Sequence, residues 1–190
     1  MSTTTFILLL LAAVVVVYIA LAARTYLRMR GKRVVVCPET HQPAGVTVDA
    51  GHAAISAFWD KPDIQLKTCT RWPERHDCNQ ACTRQIADEP QLTLAVNMLK
   101  NWYAGRNCAI CRRAISVVHT SEPRPGLLNV ASPGREILSW DDIPAEQLPA
   151  ILDAHLPVCS NCALAETFRR KYPQLVTDRE ETEERDKIYH

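Results

Sequence analysis

Two Cys-x-x-Cys pairs, far apart in the sequence, constrain the fold of this chain more than any other feature. Cys108 and Cys111 form the first pair, and Cys159 and Cys162 form the second. Two such pairs commonly supply four thiolates to one tetrahedral metal ion. The second pair opens a helical pattern, and a helix N-terminus stabilises negatively charged sulfur. The sequence therefore predicts that the two pairs meet around one metal.

Four further cysteines are candidates for a second metal site: Cys37, Cys69, Cys78 and Cys82. The first two end short apolar strands that we predict over residues 33–37 and 64–69. The other two are four residues apart, so they would share one face of a helix predicted over residues 77–87. The alternative is that these cysteines are small core residues, because free cysteine is often buried.

An uninterrupted apolar run, Phe6–Ala23, precedes all of the cysteines. As a helix it would span roughly 27 Å, which suits a slightly thin bilayer core. The five residues before it contain no Lys or Arg, and a basic collar follows it: Arg24, Arg28, Arg30, Lys32 and Arg33. Under the positive-inside rule, this pattern predicts an uncleaved single-pass anchor with the N-terminus outside and the body in the cytoplasm. The alternative is a signal peptide cleaved after an Ala-x-Ala site at Ala20 and Ala22.

The predicted orientation decides how the eight cysteines are interpreted. Disulfides are rare in the cytosol, where the same cysteine pattern indicates metal binding or redox chemistry. If the body were instead exported, four disulfides would become the competing interpretation.

The predicted fold class is α+β, with small metal-stabilised lobes of short strands and helices behind one N-terminal transmembrane helix. We expect further strands over 46–50, 114–119 and 135–140, further helices over 51–59, 90–103 and 144–155, and a loop over 120–134. The predicted divisions are the anchor and basic collar (1–33), a first cysteine lobe (34–88), a second cysteine lobe with its linking helix (89–177) and a charged tail (178–190).

The order of a Cys-x-x-Cys turn, strands and a second Cys-x-x-Cys that opens a helix resembles zinc-ribbon and treble-clef proteins. The resemblance covers Cys108–Cys111 and Cys159–Cys162 with their immediate flanks. It implies a structural zinc site with these four ligands. The chain departs from the pattern after each pair, where Arg112 and Ala163 stand in place of the usual glycine.

Zinc is the expected metal, with two ions in all, because four thiolates make a closed tetrahedral site. Iron or an iron–sulfur cluster uses the same ligands and defines the alternative, a redox or electron-transfer protein. We expect the three histidines near the cysteines not to be ligands: His76, His119 and His155.

The sequence contains none of the common catalytic motifs, so we expect a binding or scaffolding module and not an enzyme. The formal net charge of +1 argues against nucleic acid as a partner. The expected partners are membrane lipid, contacted by the basic collar, and a protein.

Overall fold

The structure is a computed structural model that describes residues 3–59, 61–74, 77–115, 123–130 and 136–175. The helices in this part of the chain are α1 (Thr3–Met29), α2 (Ala50–Ser56), α3 (Thr83–Asp88), α4 (Ala95–Tyr103), α5 (Leu148–Ala154) and α6 (Ser160–Lys171). The strands are β1 (Lys32–Val36), β2 (Pro43–Val48), β3 (Leu66–Cys69), β4 (Gly126–Asn129), β5 (Ile137–Leu138) and β6 (His155–Val158). This mixture confirms the α+β class.

The chain divides into two compact units. The first unit contains Met1–Asn101 and Pro144–Ala150, and the second contains Trp102–Ile143 and Ile151–His190. The predicted tail over 178–190 lies outside the described residues, as does most of the strand predicted over 114–119.

Helix α1 extends the predicted apolar run at both ends, over 27 residues. It is long and apolar enough to cross a membrane, a property that a signal sequence shares. The helix ends at Met29, and Gly31, two residues later, takes the left-handed φ of 115° that glycine adopts without steric cost. The chain then turns directly into β1.

The first unit contains a three-stranded antiparallel sheet in the order β1-β2-β3. Strands β1 and β3 both run antiparallel to β2, with Val36 paired to Pro43 and Cys69 paired to Val46, so β1 and β3 end on the same side of the sheet. Since α1 leads into the start of β1, these two strand ends lie at the edge of the sheet remote from the apolar helix. The core of the sheet consists of Val35, Ala44, Val46, Val48 and Leu66, joined by Met29, Ala50, Ala53, Cys82 and Ile86.

Arg33 corrects one prediction about the basic collar. Its side chain is 0 % exposed, so it does not contact lipid headgroups. The guanidinium donates to the Pro90 carbonyl, to the Thr93 hydroxyl at 2.9 Å and to the Arg28 carbonyl at 2.7 Å. Burial, together with the charge of Arg28, lowers the pKa of Arg33 to about 10. Arg33 therefore joins the end of the apolar helix to residues 90–93, and the other four collar residues stay exposed.

The helix predicted over residues 90–103 begins only at Ala95. The preceding residues are held by β1 instead, since the Thr93 carbonyl accepts from the Val34 amide at 2.8 Å and Leu94 forms a β-bridge with Arg33. Pairing with a strand that lies far away in sequence outweighs the local helical pattern here.

The second unit contains the sheet β5-β4-β6, in which both neighbours run antiparallel to the central strand. Two of its strands were not predicted: β4 lies in the segment assigned to a loop, and β6 follows the α5 helix directly. Leu127 of β4 is 0 % exposed between Leu138 and Pro157. The Tyr103 hydroxyl donates to the Gly126 carbonyl at 2.7 Å, and this bond holds the Tyr103 side chain against β4.

Gly126 allows β4 to approach its neighbours closely. A Cβ at this position would come within 2.3 Å of Cγ2 of Ile137 and 3.2 Å of Cβ of Ala163. Because Ala163 follows Cys162 in α6, this contact seats the cysteine-bearing helix on the sheet.

Candidate metal centre

The second unit brings the four cysteines of the two Cys-x-x-Cys pairs together: Cys108, Cys111, Cys159 and Cys162. Their sulfur atoms all lie within 4.8 Å of one another. The Sγ atoms of Cys111 and Cys159 are 3.7 Å apart. Zinc–thiolate bonds of about 2.3 Å place the sulfurs of a tetrahedral site roughly 3.8 Å apart. The group is therefore compact enough to hold a metal ion.

A tight turn carries the first pair. The Arg112 amide donates to the Cys108 carbonyl at 2.9 Å, and the Cys108 amide donates to the Arg113 carbonyl at 2.9 Å. A β-bridge between Asn107 and Ala114 closes the base of the turn. Arg112 adopts a φ of 63°, the left-handed conformation that glycine commonly supplies in metal-binding turns. The departure from the zinc-ribbon pattern at Arg112 thus changes the residue without changing the backbone conformation.

Strand β6 and helix α6 position the second pair. Cys159 is the N-cap of α6, and Cys162 lies in its first turn. The Ala109 amide donates to the Pro157 carbonyl at 2.8 Å, which joins the turn of the first pair to β6. The Cys159 amide donates to Sγ of Cys108 at 3.3 Å. These contacts bring the two pairs together, and all four cysteines are free thiols.

The thiols of this group do not ionise equally. Burial alone would raise the pKa of Cys108, but the amides of Cys111, Cys159 and Ile110 outweigh it and lower this pKa to about 6. Burial and the neighbouring thiols raise the pKa of Cys162, and burial raises that of Cys159. One thiolate is therefore favoured, while further thiolates need a cation beside them.

The group is buried on one side and open on the other. Cys108 is 0 % exposed, whereas the Cys111 side chain reaches the surface. This arrangement gives an ion a path from solvent to the four sulfurs.

The other four cysteines lie in the first unit: Cys37, Cys69, Cys78 and Cys82. Cys37 directly follows β1 and Cys69 ends β3, so both lie at the edge of the sheet remote from α1. Burial, together with the thiols of Cys69, Cys78 and Cys37, raises the pKa of Cys82 to about 11. Among the described residues, the four sulfurs do not form a second group with all members within 4.8 Å.

The helix predicted over residues 77–87 begins only at Thr83. Gln80 interrupts it with a φ of 55° and donates its amide to Sγ of Cys78 at 3.4 Å. Cys82 is the N-cap of the shorter helix, so the two cysteines do not share a helical face. The turn around Cys78, which directs a backbone amide at the sulfur, still suits a metal ligand.

Among the described residues, no histidine belongs to the four-cysteine group. The Nδ1 atom of His155 lies 2.8 Å from the Ile151 carbonyl, so this ring is held by α5. His76 and His119 lie outside the described residues.

A comparison of this chain with protein-family models, with curated proteins and with solved structures finds no match. The resemblance to zinc-ribbon and treble-clef proteins therefore rests on the cysteines and their flanks alone. What the structure adds is a four-cysteine group able to hold a metal, and one apolar helix near the N-terminus.

Proposed function

We propose that this chain is a membrane-anchored zinc protein whose metals hold a small folded body in place for a protein partner. The observation that carries the proposal is the group of four sulfurs within 4.8 Å, supplied by two distant segments of the chain. Zinc suits the group best, because it favours tetrahedral thiolate ligation and imposes no other geometry.

The proposed metal is structural and the chain is not an enzyme. Four thiolates fill the coordination sphere of zinc and leave no position for a water or a substrate. The ion instead joins the turn that ends in Arg112 to the start of α6. Its binding free energy then becomes folding free energy for the second unit.

The proposed partner surface belongs to the cytoplasmic body. The collar residues that stay exposed, Arg24, Arg28, Arg30 and Lys32, would contact anionic lipid headgroups. With a formal net charge of +1, the chain has no excess of positive charge for a nucleic acid, so a protein is the expected macromolecular partner.

Metal analysis of the purified full-length chain in detergent tests the proposal. We expect about two equivalents of zinc per chain, one for each group of four thiolates. All 8 cysteines should react with a thiol reagent once the chain is denatured with a chelator. The zinc protein should be colourless, and Co²⁺ in its place should show the visible absorption of tetrahedral thiolate coordination.

Two results would contradict zinc. Visible absorption of the protein as isolated, together with bound iron, would favour the redox alternative. A loss of reactive thiols that only a reductant restores would indicate disulfides, and with them an exported body.

The orientation of the anchor is a separate prediction. The basic residues after the apolar run should keep the body in the cytoplasm. Protease added to intact cells should therefore leave the cysteine-bearing body undigested, while the same protease should degrade it after the cells are opened. Digestion from outside, or a mature N-terminus near Ala23, would show that the body is exported.

A further inference from the structure

Helix α2 lies along the C-terminal part of the apolar helix α1. The half-buried and buried residues of α1 follow one stripe with helical spacing: Tyr18, Ala22, Thr25 and Met29. Ala54 and Ala57 face Tyr18, Ala22 and Thr25 across a narrow groove. Small alanine side chains permit this close approach of the two helices.

The C-terminal end of α2 lies nearer the middle of the apolar helix α1 than its N-terminal end does. The Phe58 ring, just beyond α2, packs edge-on against the Tyr18 ring with the centroids 4.7 Å apart. Ala50 and Ala53, near the other end of α2, share a core with Met29. The helix therefore runs antiparallel to α1 and points toward the middle of the apolar segment.

The length of α1 sets the depth that this end reaches. Residues Phe6–Val17 are exposed, but at about 1.5 Å per residue they span only roughly 18 Å. A start at Thr3 extends the span to roughly 22 Å, whereas the hydrocarbon core of a bilayer is about 30 Å thick. The bilayer must therefore reach the level of Tyr18, where Phe58 lies.

The surface that α2 presents at this level is apolar and aromatic. Ile55 is 64 % exposed, Phe58 is 51 % exposed and Trp59 is 83 % exposed. The Phe58 and Trp59 rings form an edge-to-face pair with centroids 4.7 Å apart. In water the apolar surface of this cluster would stay exposed to solvent. The boundary between acyl chains and headgroups, in contrast, favours aromatic side chains, and tryptophan in particular.

We propose that Ile55, Phe58 and Trp59 insert into the bilayer boundary as a second membrane contact beside α1. Asp60 and Lys61 follow directly, and these charged residues place the cluster at the boundary and not in the hydrocarbon core. Two contacts on one side of the first unit hold this unit in a defined orientation on the membrane. The inference rests on the membrane anchor of the proposed function.

Quenching of tryptophan fluorescence by brominated lipid tests this contact in the full-length chain. The protein is reconstituted into phosphatidylcholine vesicles with or without bromine on the acyl chains near the headgroup. We expect the brominated lipid to quench the wild type, and Trp59→Phe to lose most of this quenching. Trp59 is largely exposed, so the substitution should leave the fold and the metal content unchanged.

Trp72→Phe is the matched control. Trp72 follows Cys69 at the end of the sheet remote from α1, and it is half-buried against the core of the first unit. This variant should keep the quenching of the wild type. Equal quenching in wild type and Trp59→Phe would overturn the inference. A Trp59 that is shielded from lipid and crosslinks to a second copy or to another protein would overturn it too.

Extraction of the same vesicles with alkaline carbonate separates this inference from the anchor. Protein that stays in the membrane while Trp59 is not quenched would refute the second contact alone. Protein that is released by carbonate would refute the membrane anchor, and the second contact with it. Metal content is measured independently, so neither result bears on the zinc site.

Discussion

Replacing Cys162 with serine should release the metal from the second unit and unfold the region around it. The loss should be large, because structural zinc sites bind with about 10 kcal/mol or more of free energy. Closing the loop between the two pairs without a metal costs roughly 4 kcal/mol by the chain-entropy estimate, so the ion more than offsets that cost. Metal analysis and thermal unfolding of the variant measure both effects.

A double-mutant cycle shows whether the two pairs hold the same ion. Cys111→Ser should lose the same equivalent of metal as Cys162→Ser, because the two residues belong to one group of sulfurs. The double variant should be little less stable than either single variant, since the second change acts on a site that is already lost. Additive destabilisation, or loss of different metal equivalents, would show that the two pairs are independent.

Asn161→Ala is the control for this cycle. Asn161 lies between the two cysteines of the second pair, in the same turn of α6, and its side chain is exposed. It carries no sulfur, so we expect the full metal content and nearly unchanged stability. If Asn161→Ala also lost the metal, any substitution in this turn would disrupt the site. The metal loss in Cys162→Ser would then not identify Cys162 as a ligand.

The second large effect is expected at Cys82, in the first unit. If Cys37, Cys69, Cys78 and Cys82 bind one ion, then Cys82→Ala should lower the bound metal by about one equivalent and unfold the first unit. One contact brings two members of this group toward each other, because the Gln85 side chain of α3 accepts from the Val36 amide and donates to the Val36 carbonyl. That contact holds α3, with Cys82 at its start, against the end of β1.

Cys82 could alternatively be a small core residue, since it is only 5 % exposed and belongs to the core of the first unit. In that case Cys82→Ala should keep the full metal content and cost about 1 kcal/mol of stability. Cys37→Ser distinguishes the two interpretations, because Cys37 lies outside the core and should lose the same metal only if the thiols share an ion. Unchanged metal content in both variants would remove the second site.

The two groups of thiols differ in how closely the fold brings the sulfurs together before a metal binds. In the second unit, amide bonds to sulfur and to the Pro157 carbonyl hold the turn of the first pair against β6, and the sulfurs already lie within 4.8 Å. In the first unit, Cys37 and Cys69 lie at one end of the sheet, but the four sulfurs do not form one compact group. A metal there would first have to bring the four sulfurs together, so we expect it to bind more weakly than in the second unit.

Local sequence patterns determined the features of this protein that do not depend on distant residues. The apolar helix needs only a continuous apolar run, which satisfies its backbone hydrogen bonds within itself. The α6 helix, with Cys159 and Cys162 at its start, follows from a local helical pattern. The two Cys-x-x-Cys spacings likewise indicate a shared ion, because the spacing itself sets how the thiols can point.

The tertiary structure decided the features that depend on distant partners. Strand β4 lies among prolines and glycines that predict a loop, and it becomes a strand only because β5 and β6 supply its hydrogen bonds. In the sequence, Arg33 is one of five basic collar residues and looks exposed like the others. In the structure it is buried, because oxygens of residues 90–93 accept hydrogen bonds from its guanidinium. The depth of Phe58 beside α1 depends in the same way on the packing of two helices, which neither helix encodes alone.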